Sequence, residues 1–227
     1  MGILYIVATP IGNLGDISYR AVEILKGADL ILCEDTRTTI KLLNRYEIKK
    51  PLISYHQHSK DLKVDQIINS LREGKKIALV SDAGSPGISD PGNKLIEQIV
   101  ERDNTTEIIS IPGPSALIAL ASVSGFPTDK FLFLGFPPQK NKRAKFFQEV
   151  ADSQHPVIFY ESPHRIIKAL TELEALSGDF DVVVGRELTK KFETVYRGQI
   201  GKVKEDIEKK GPLGEFVVIV KKRKVDK

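Results

Sequence analysis

Between residues 79 and 92 the chain reads Leu79-Val80-Ser81-Asp82-Ala83-Gly84-Ser85-Pro86-Gly87-Ile88-Ser89-Asp90-Pro91-Gly92. A β-rich stretch, Ile77 to Val80, empties there into Gly, Pro, Ser and Asp, and a helical pattern resumes near Pro91. Glycine lacks a Cβ, so its backbone can approach a ligand closely, and proline fixes φ. In open α/β sheets, ligands bind beyond the carboxyl ends of the strands. The segment therefore reads as the floor of a small-molecule pocket. A long βα loop without a ligand is the competing reading, and such loops usually span only about 2–6 residues.

Other polar segments fall at expected strand ends. Thr9-Pro10-Ile11-Gly12-Asn13-Leu14-Gly15-Asp16 lies between a strand and a helix. Its glycines are spaced Gly12-x-x-Gly15, which fails the dinucleotide fingerprint, and no Walker lysine follows. It suits a pocket wall better than a phosphate grip. In Glu34-Asp35-Thr36-Arg37-Thr38-Thr39, Asp35 or Thr36 can cap a helix, whereas Arg37 brings a planar fork of donors suited to phosphate or carboxylate. Tyr160-Glu161-Ser162-Pro163-His164-Arg165 and Arg186-Glu187-Leu188-Thr189-Lys190-Lys191 end two later strands. Ser162 as N-cap with Pro163 at N1 would explain part of the first without a ligand, and a solvated lysine pair would explain part of the second. Gly211-Pro212-Leu213-Gly214-Glu215 reads as a turn before the last strand. His56-x-His58 has no third ligand nearby, so metal binding is not expected. Ser115 has no triad partner in sight.

Alternating elements must position these segments. Strands are expected at Ile3–Ala8, Asp29–Cys33, Pro51–Tyr55, Lys76–Val80 and Glu107–Ile111. Helices are expected at Ser18–Lys26 with Ser18 as cap, Thr36–Tyr46, Asp61–Glu73 closed by Gly74, and Pro91–Arg102. This βαβα rhythm argues for a mostly parallel sheet covered on both faces. After Pro112-Gly113-Pro114-Ser115, with Pro114 opening a short helix to about Ser122, the texture changes. Strands at Phe131–Phe136, Val157–Tyr160, Asp181–Arg186, Glu193–Gly198 and Glu215–Val220 alternate with helices at Lys142–Ala151, Pro163–Leu176 and Lys202–Lys210. Consecutive strands at 181–186 and 193–198 suggest an antiparallel pair and a mixed sheet. The boundary falls near residue 113, giving domains 1–113 and 114–227.

The 227 residues suffice for a large core, and a 41% hydrophobic and 28% charged composition is that of an ordinary globular chain. A formal charge of +4 suits a polyanionic partner without requiring one. Cys33 is the single cysteine, so an intramolecular disulfide and a cysteine-based zinc site are excluded. Its apolar neighbours predict a buried, inert thiol and a reducing, cytosolic location. The apolar N-terminus stops at Pro10, too short for a membrane span.

Taken in order, Val7-Ala8-Thr9-Pro10-Ile11-Gly12-Asn13-Leu14-Gly15-Asp16, Glu34-Asp35-Thr36-Arg37, Ser81-Asp82-Ala83-Gly84-Ser85-Pro86, Pro112-Gly113-Pro114-Ser115-Ala116, Tyr160-Glu161-Ser162-Pro163-His164-Arg165 and Arg186-Glu187-Leu188-Thr189-Lys190 resemble one family over nearly the whole chain. It is the ribosomal RNA small-subunit methyltransferase I family, 2′-O-ribose cytidine methylases of the tetrapyrrole methylase superfamily. The resemblance implies a two-domain, class III methyltransferase α/β fold, a homodimer in the cytoplasm, and S-adenosylmethionine as methyl donor in the cleft between the domains. By position, it implies that Asp82, Ala83, Gly84, Ser85 and Pro86 hold the donor, with Pro10 near it. Ser115 and Ala116 would meet its methionine end, and Tyr160 and Leu213 its adenosine side. The implied substrate is a cytidine of small-subunit ribosomal RNA, in an assembled subunit. Longer relatives carry an extra segment after the final strand. Here RNA contacts would fall to the dimer surface, to Asn141-Lys142-Arg143-Ala144-Lys145 and to the basic run Lys221-Lys222-Arg223-Lys224. Asp35 is the candidate base or base-orienter, Glu187 its rival, and Arg37 and Lys190 candidate phosphate holders. Methylation of a small tetrapyrrole-like molecule and a non-catalytic RNA-binding role remain alternatives.

Overall fold

A computed structural model describes residues 1–56, 61–90, 92–176 and 179–223. The expected His58, Pro91 and Lys224 lie outside the described residues. The chain divides into two compact units, Met1–Ser115 and Ala116–Lys227.

In the first unit, strands β1 (Ile3–Val7), β2 (Leu30–Cys33), β3 (Leu52–Ser54), β4 (Lys76–Val80) and β5 (Glu107–Ile111) form one sheet in the order β3-β2-β4-β1-β5. Every pairing in it is parallel, with Ile3 opposite Lys76 on one side and Glu107 on the other. Residue alternation sends side chains to two cores. Leu4, Ile6, Leu32, Ile77 and Leu79 join α3 (Asp61–Arg72) and α4 (Gly92–Arg102). Val7, Ile31, Cys33, Ala78 and Val80 join α1 (Tyr19–Gly27) and α2 (Thr36–Arg45). Ser18 caps α1 by accepting from the Ala21 amide at 3.1 Å.

This order has one functional consequence. From β1 the chain crosses toward β2 beneath α1. From the adjacent β4 it crosses the opposite way to β5 beneath α4. The two connections leave on opposite faces, so the sheet has a topological switch point between the carboxyl ends of β1 and β4, where open α/β sheets place their ligands.

The second unit opens with α5 (Ala116–Ser124). Strands β6 (Leu132–Phe133), β7 (Val157–Glu161), β8 (Phe180–Arg186), β9 (Thr194–Gln199) and β10 (Phe216–Lys222) follow, ordered β6-β7-β10-β8-β9. β6 and β7 are parallel and the other pairs antiparallel, including the β8–β9 hairpin. One face carries Phe159, Val182, Val184, Phe216 and Val218 against α6 (Arg143–Asp152), α7 (Ile166–Glu174) and α8 (Ile200–Lys210). Among the described residues no helix is long and apolar enough to cross a membrane.

Three expectations are corrected here. α5 begins at Ala116 rather than Pro114 and runs to Ser124. The strand expected at 131–136 is cut to two residues, because Gly135 turns the backbone to φ 64° before buried Pro137. α7 begins at Ile166, not Pro163. The Ser162 carbonyl first accepts from the Arg165 and Ile166 amides, and the Ser162 hydroxyl takes Arg165 Nε at 3.0 Å instead of capping the helix.

That turn belongs to a buried ion network. Glu161 is 1% exposed. Its Oε1 accepts from the Ser162 amide at 2.7 Å and from Arg165 Nη2 at 2.9 Å, and Arg143 Nη1 lies 3.6 Å from Oε2. Arg143 also donates to Glu172 at 2.7 Å and to the Pro138 carbonyl at 3.1 Å. Arg143, expected to face RNA, is thus committed to the interior. Removing one partner strands buried charge, so Glu161→Ala is expected to destabilise the protein by about 3–5 kcal/mol, read from denaturant unfolding.

Candidate functional site

The switch point is closed by backbone. The Thr9 amide donates to the Gly84 carbonyl at 2.8 Å, and the Gly84 amide donates back to the Thr9 carbonyl at 3.0 Å. Buried Thr9 adds its hydroxyl, which donates to the Ser81 carbonyl at 3.0 Å. The Ser81 hydroxyl donates to the Gly84 carbonyl at 3.2 Å. Gly84 holds φ 81°, a conformation that side chains with a Cβ rarely adopt. The loop after β4 is thereby tied across the end of β1, with Pro10, Gly84 and Pro86 buried, Ser85 half-buried, and Asp82 and Ala83 exposed. Further along, Asp90 Oδ1 accepts from the Gly87 amide at 2.6 Å and the Gly92 amide at 2.8 Å, which closes the loop onto the start of α4. After β5, Gly113 passes so near Ala8 that a Cβ at 113 would sit 3.0 Å from the Ala8 Cβ.

A third strand end joins through a carboxylate. Asp82 Oδ1 accepts from the Asp35 amide at 3.1 Å, linking the loops after β4 and β2. Asp35 caps α2 through its Oδ1, which accepts from the Arg37 amide at 2.8 Å. Its carboxylate also takes the Arg37 guanidinium at 3.1 and 2.6 Å. Those bonds from Arg37 hold the Asp35 carboxyl down at about 2. So ready an anion is a poor proton acceptor near neutral pH, since a general base works best with a pKa near the operating pH. The structure shows Asp35 as the cap of α2 and the partner of Arg37.

Glu34 beside it behaves differently, and nothing in the linear pattern singles it out. It shares a small recess with Tyr55, Ser81, Pro86 and Asp90. Burial pushes its carboxyl above the usual range, and the negative charges of Asp82 and Asp90 add to the shift. The signal that could have found it is the clustering of Glu34, Asp82 and Asp90, which is invisible until β2 and β4 are known to be neighbours. Cys33 is fully buried, and burial raises its thiol pKa, as expected for an inert cysteine. Among the described residues no group of three or more His, Cys, Asp or Glu could hold a metal ion.

In the second unit, Glu187 and Lys190 form a staple. The Glu215 amide donates to Glu187 Oε1 at 2.9 Å, and Lys190 Nζ donates to Glu187 at 3.0 Å and Glu215 at 2.9 Å. Burial raises the Glu187 pKa, but the Glu215 amide and Lys190 outweigh it and the net shift is downward. Burial lowers the Lys190 pKa, but Glu215 and Glu187 reverse this. Gly214 is required beneath the staple, because a Cβ there would come 2.5 Å from Glu187 Cγ. Glu187 and Lys190 are thus tied to Glu215 and to each other in this turn. Leu213 is 70% exposed in the same turn, where its carbonyl accepts from Arg186 Nε at 2.5 Å. Tyr160 is half-buried at the end of β7. Its ring lies 5.1 Å from Phe133 and 5.3 Å from Phe136, and burial raises its hydroxyl pKa. Ser115 ends the first unit and Ala116 opens α5, both half-buried. Near the C-terminus, Arg223 lies 3.6 Å from Asp181 and Lys221 stacks 4.8 Å from the Phe126 ring.

Residues 3–204 match the family model of the tetrapyrrole (corrin/porphyrin) methylases. The chain is 44% identical over 220 residues to the ribosomal RNA small subunit methyltransferase I of Thermotoga maritima, covering 97% of this chain and 98% of that protein. It is 46% identical to the protein of the same name from Synechocystis, over 97% of this chain and 79% of that one. Among solved structures, a diphthine synthase superposes with a TM-score of 0.73 at 15% identity, covering 96% of this chain and 90% of that one. The cobalt precorrin-4 methyltransferase CbiF superposes with a TM-score of 0.71 at 17% identity, covering 96% and 94%. Both show the fold.

Two measurements check this geometry. In Arg37→Ala, the Asp35 carboxyl is expected to titrate upward from about 2 toward its ordinary 3.8, followed by carboxyl-carbon NMR. Gly84→Ala forces a Cβ into a left-handed conformation and is expected to cost about 1–2 kcal/mol of stability by denaturant unfolding.

Proposed function

The chain belongs to the tetrapyrrole (corrin/porphyrin) methylase family, and we propose that it methylates the ribose 2′-hydroxyl of a cytidine in small-subunit ribosomal RNA. The coarser activity, methyl transfer from S-adenosylmethionine to small-subunit ribosomal RNA, rests on family membership and on relatives of that name at 42–46% identity over nearly the full chain. That near-full-length similarity is the observation that carries the reading.

The chemistry of the switch point fits the donor. S-adenosylmethionine supplies an electrophilic methyl on a cationic sulfonium. Glu34, Asp35, Asp82 and Asp90 give the strand ends a negative rim that suits a cation. Buried Gly84, pinned to Thr9, holds the loop in the course that brings these acids together. We assign donor binding to Pro10, to Asp82, Ala83, Gly84, Ser85 and Pro86, and to Ser115 and Ala116, with Tyr160 and Leu213 as the candidates for the adenosine side. Tyr160 is a half-buried aromatic ring and Leu213 an exposed apolar side chain.

A ribose hydroxyl is a weak nucleophile, so the protein's task is to align it and to receive its proton. Arg37, 86% exposed at the side chain and steered by Asp35, is placed to meet a phosphate of the substrate. Glu34, with its raised proton affinity, is the carboxylate suited to accept the proton. The proposal extends to a homodimer acting on assembled subunits in the cytoplasm.

The deciding experiment incubates the purified protein with labelled S-adenosylmethionine and small ribosomal subunits, then identifies the product nucleoside by mass spectrometry. The expected product is 2′-O-methylcytidine. A methyl on a base atom overturns the ribose assignment, and absence of transfer overturns the reading. Under single turnover at saturating donor, Glu34→Gln is expected to slow transfer by about 10²–10⁴-fold. Asp35→Asn is expected to act mainly through the substrate KM.

A further inference from the structure

Helix α2 carries Arg37, Lys41 and Arg45, spaced four residues apart and all exposed. Residues at that spacing are neighbours on a helix surface, and each step advances about 6 Å along the axis. The three cations therefore form a stripe, while Thr39, Leu42 and Leu43 bury the other side. Asn44 and the 44% exposed Ile40 flank the stripe.

Part of this charge runs against the helix's own electrostatics, although Arg45 in the last turn suits the macrodipole. The helix contains no acidic residue. Like charges one turn apart repel, and a cation in the first turn opposes the macrodipole. The exposed face of α8 shows the usual solution, with Lys202 paired to Asp206 at 3.0 Å and Lys209 to Glu205 at 3.6 Å. Among the described residues Lys41 and Arg45 have no hydrogen-bond or ion-pair partner, and Arg37 is held only by Asp35, at the rim of the switch point. The basic segments singled out elsewhere in the sequence have lost their arginines to acids: Arg143 to Glu161 and Glu172, Arg223 to Asp179 and Asp181.

We propose that the Arg37–Lys41–Arg45 face of α2 docks the phosphate backbone of the RNA substrate, leading the strand away from the carboxyl ends of β2 and β4. This rests on the ribosomal RNA reading above and adds to it the surface that holds the substrate. An RNA backbone supplies a row of anions matched to this row of cations, of which Lys41 and Arg45 are uncommitted. It also supplies the attraction that justifies keeping them on one face.

The test is the double variant Lys41→Glu/Arg45→Glu in the full chain. An acid at 41 lies one turn from Arg37 and offsets the new like-charge pair with 45, and far-UV circular dichroism checks that the helix is retained. Binding to small ribosomal subunits is measured across salt concentrations, beside donor affinity by calorimetry and methyl transfer at saturating subunits. The expected result is a log–log salt slope reduced by about 1.4, from about 0.7 for each lost phosphate contact. A raised KM for subunits should accompany it, with donor affinity and kcat kept. An unchanged slope and KM, with methylation intact, overturns the docking face and leaves the functional reading standing. If the wild-type chain binds subunits but transfers no methyl, the functional reading falls. The slope difference then decides the docking face alone. If the wild-type chain does not bind subunits, both fall.

Discussion

The reciprocal backbone pair between Thr9 and Gly84 is the constraint from which the rest of the site follows. Parallel strands leave their last carbonyls and the next amides unpaired, and those groups must be satisfied by something. Here the loops after β1 and β4 satisfy each other at the one place where connections diverge. That fixes the course of residues 81–84, brings Asp82 to the Asp35 amide, and sets α2 at its starting angle. A side chain at 84 would oppose the φ of 81° that the pair requires. The rim is thus organised by main chain, and its acidic side chains are arranged upon that frame.

Charge is handled differently in the two units. In the second, acids and bases consume one another: Glu161 with Arg165 and Arg143, Lys190 with Glu187 and Glu215. These groups fix turns. In the first, charge is left partly unbalanced, acidic at the strand ends and basic along α2. Unbalanced charge near a surface costs stability and is retained where a partner of opposite sign supplies the compensation. A cationic donor and an anionic polymer are the two partners that such a division suits.

The fold was legible in the sequence because period and punctuation agree. Ser18, Gly74 and the runs at 76–80 and 107–111 mark the elements they appear to mark. The failures have local causes. Pro114 and Pro163 look like first helical residues, but the helices wait until Ala116 and Ile166. For α7, the Ser162 carbonyl builds a turn that no propensity encodes. The site was legible as a set of segments and illegible as a set of roles. Asp35, Glu187 and Lys190 have the right chemistry at strand ends, yet their bonds to Arg37, Glu215 and each other are made across loops whose proximity a linear reading does not supply. Glu34 was hidden for the same reason.

The placement of β1 also governs how the chain reaches this fold. Ile3 pairs with Lys76 and Glu107, so β1 is next-to-last in spatial order, precedes both its partners in the chain, and can be hydrogen-bonded on both edges only after residue 107 exists. Pairings of such sequence separation pay their loop-closure entropy before any contact rewards it. During translation the apolar segment Ile3–Val7 therefore precedes both of its strand partners and waits unpaired until they follow.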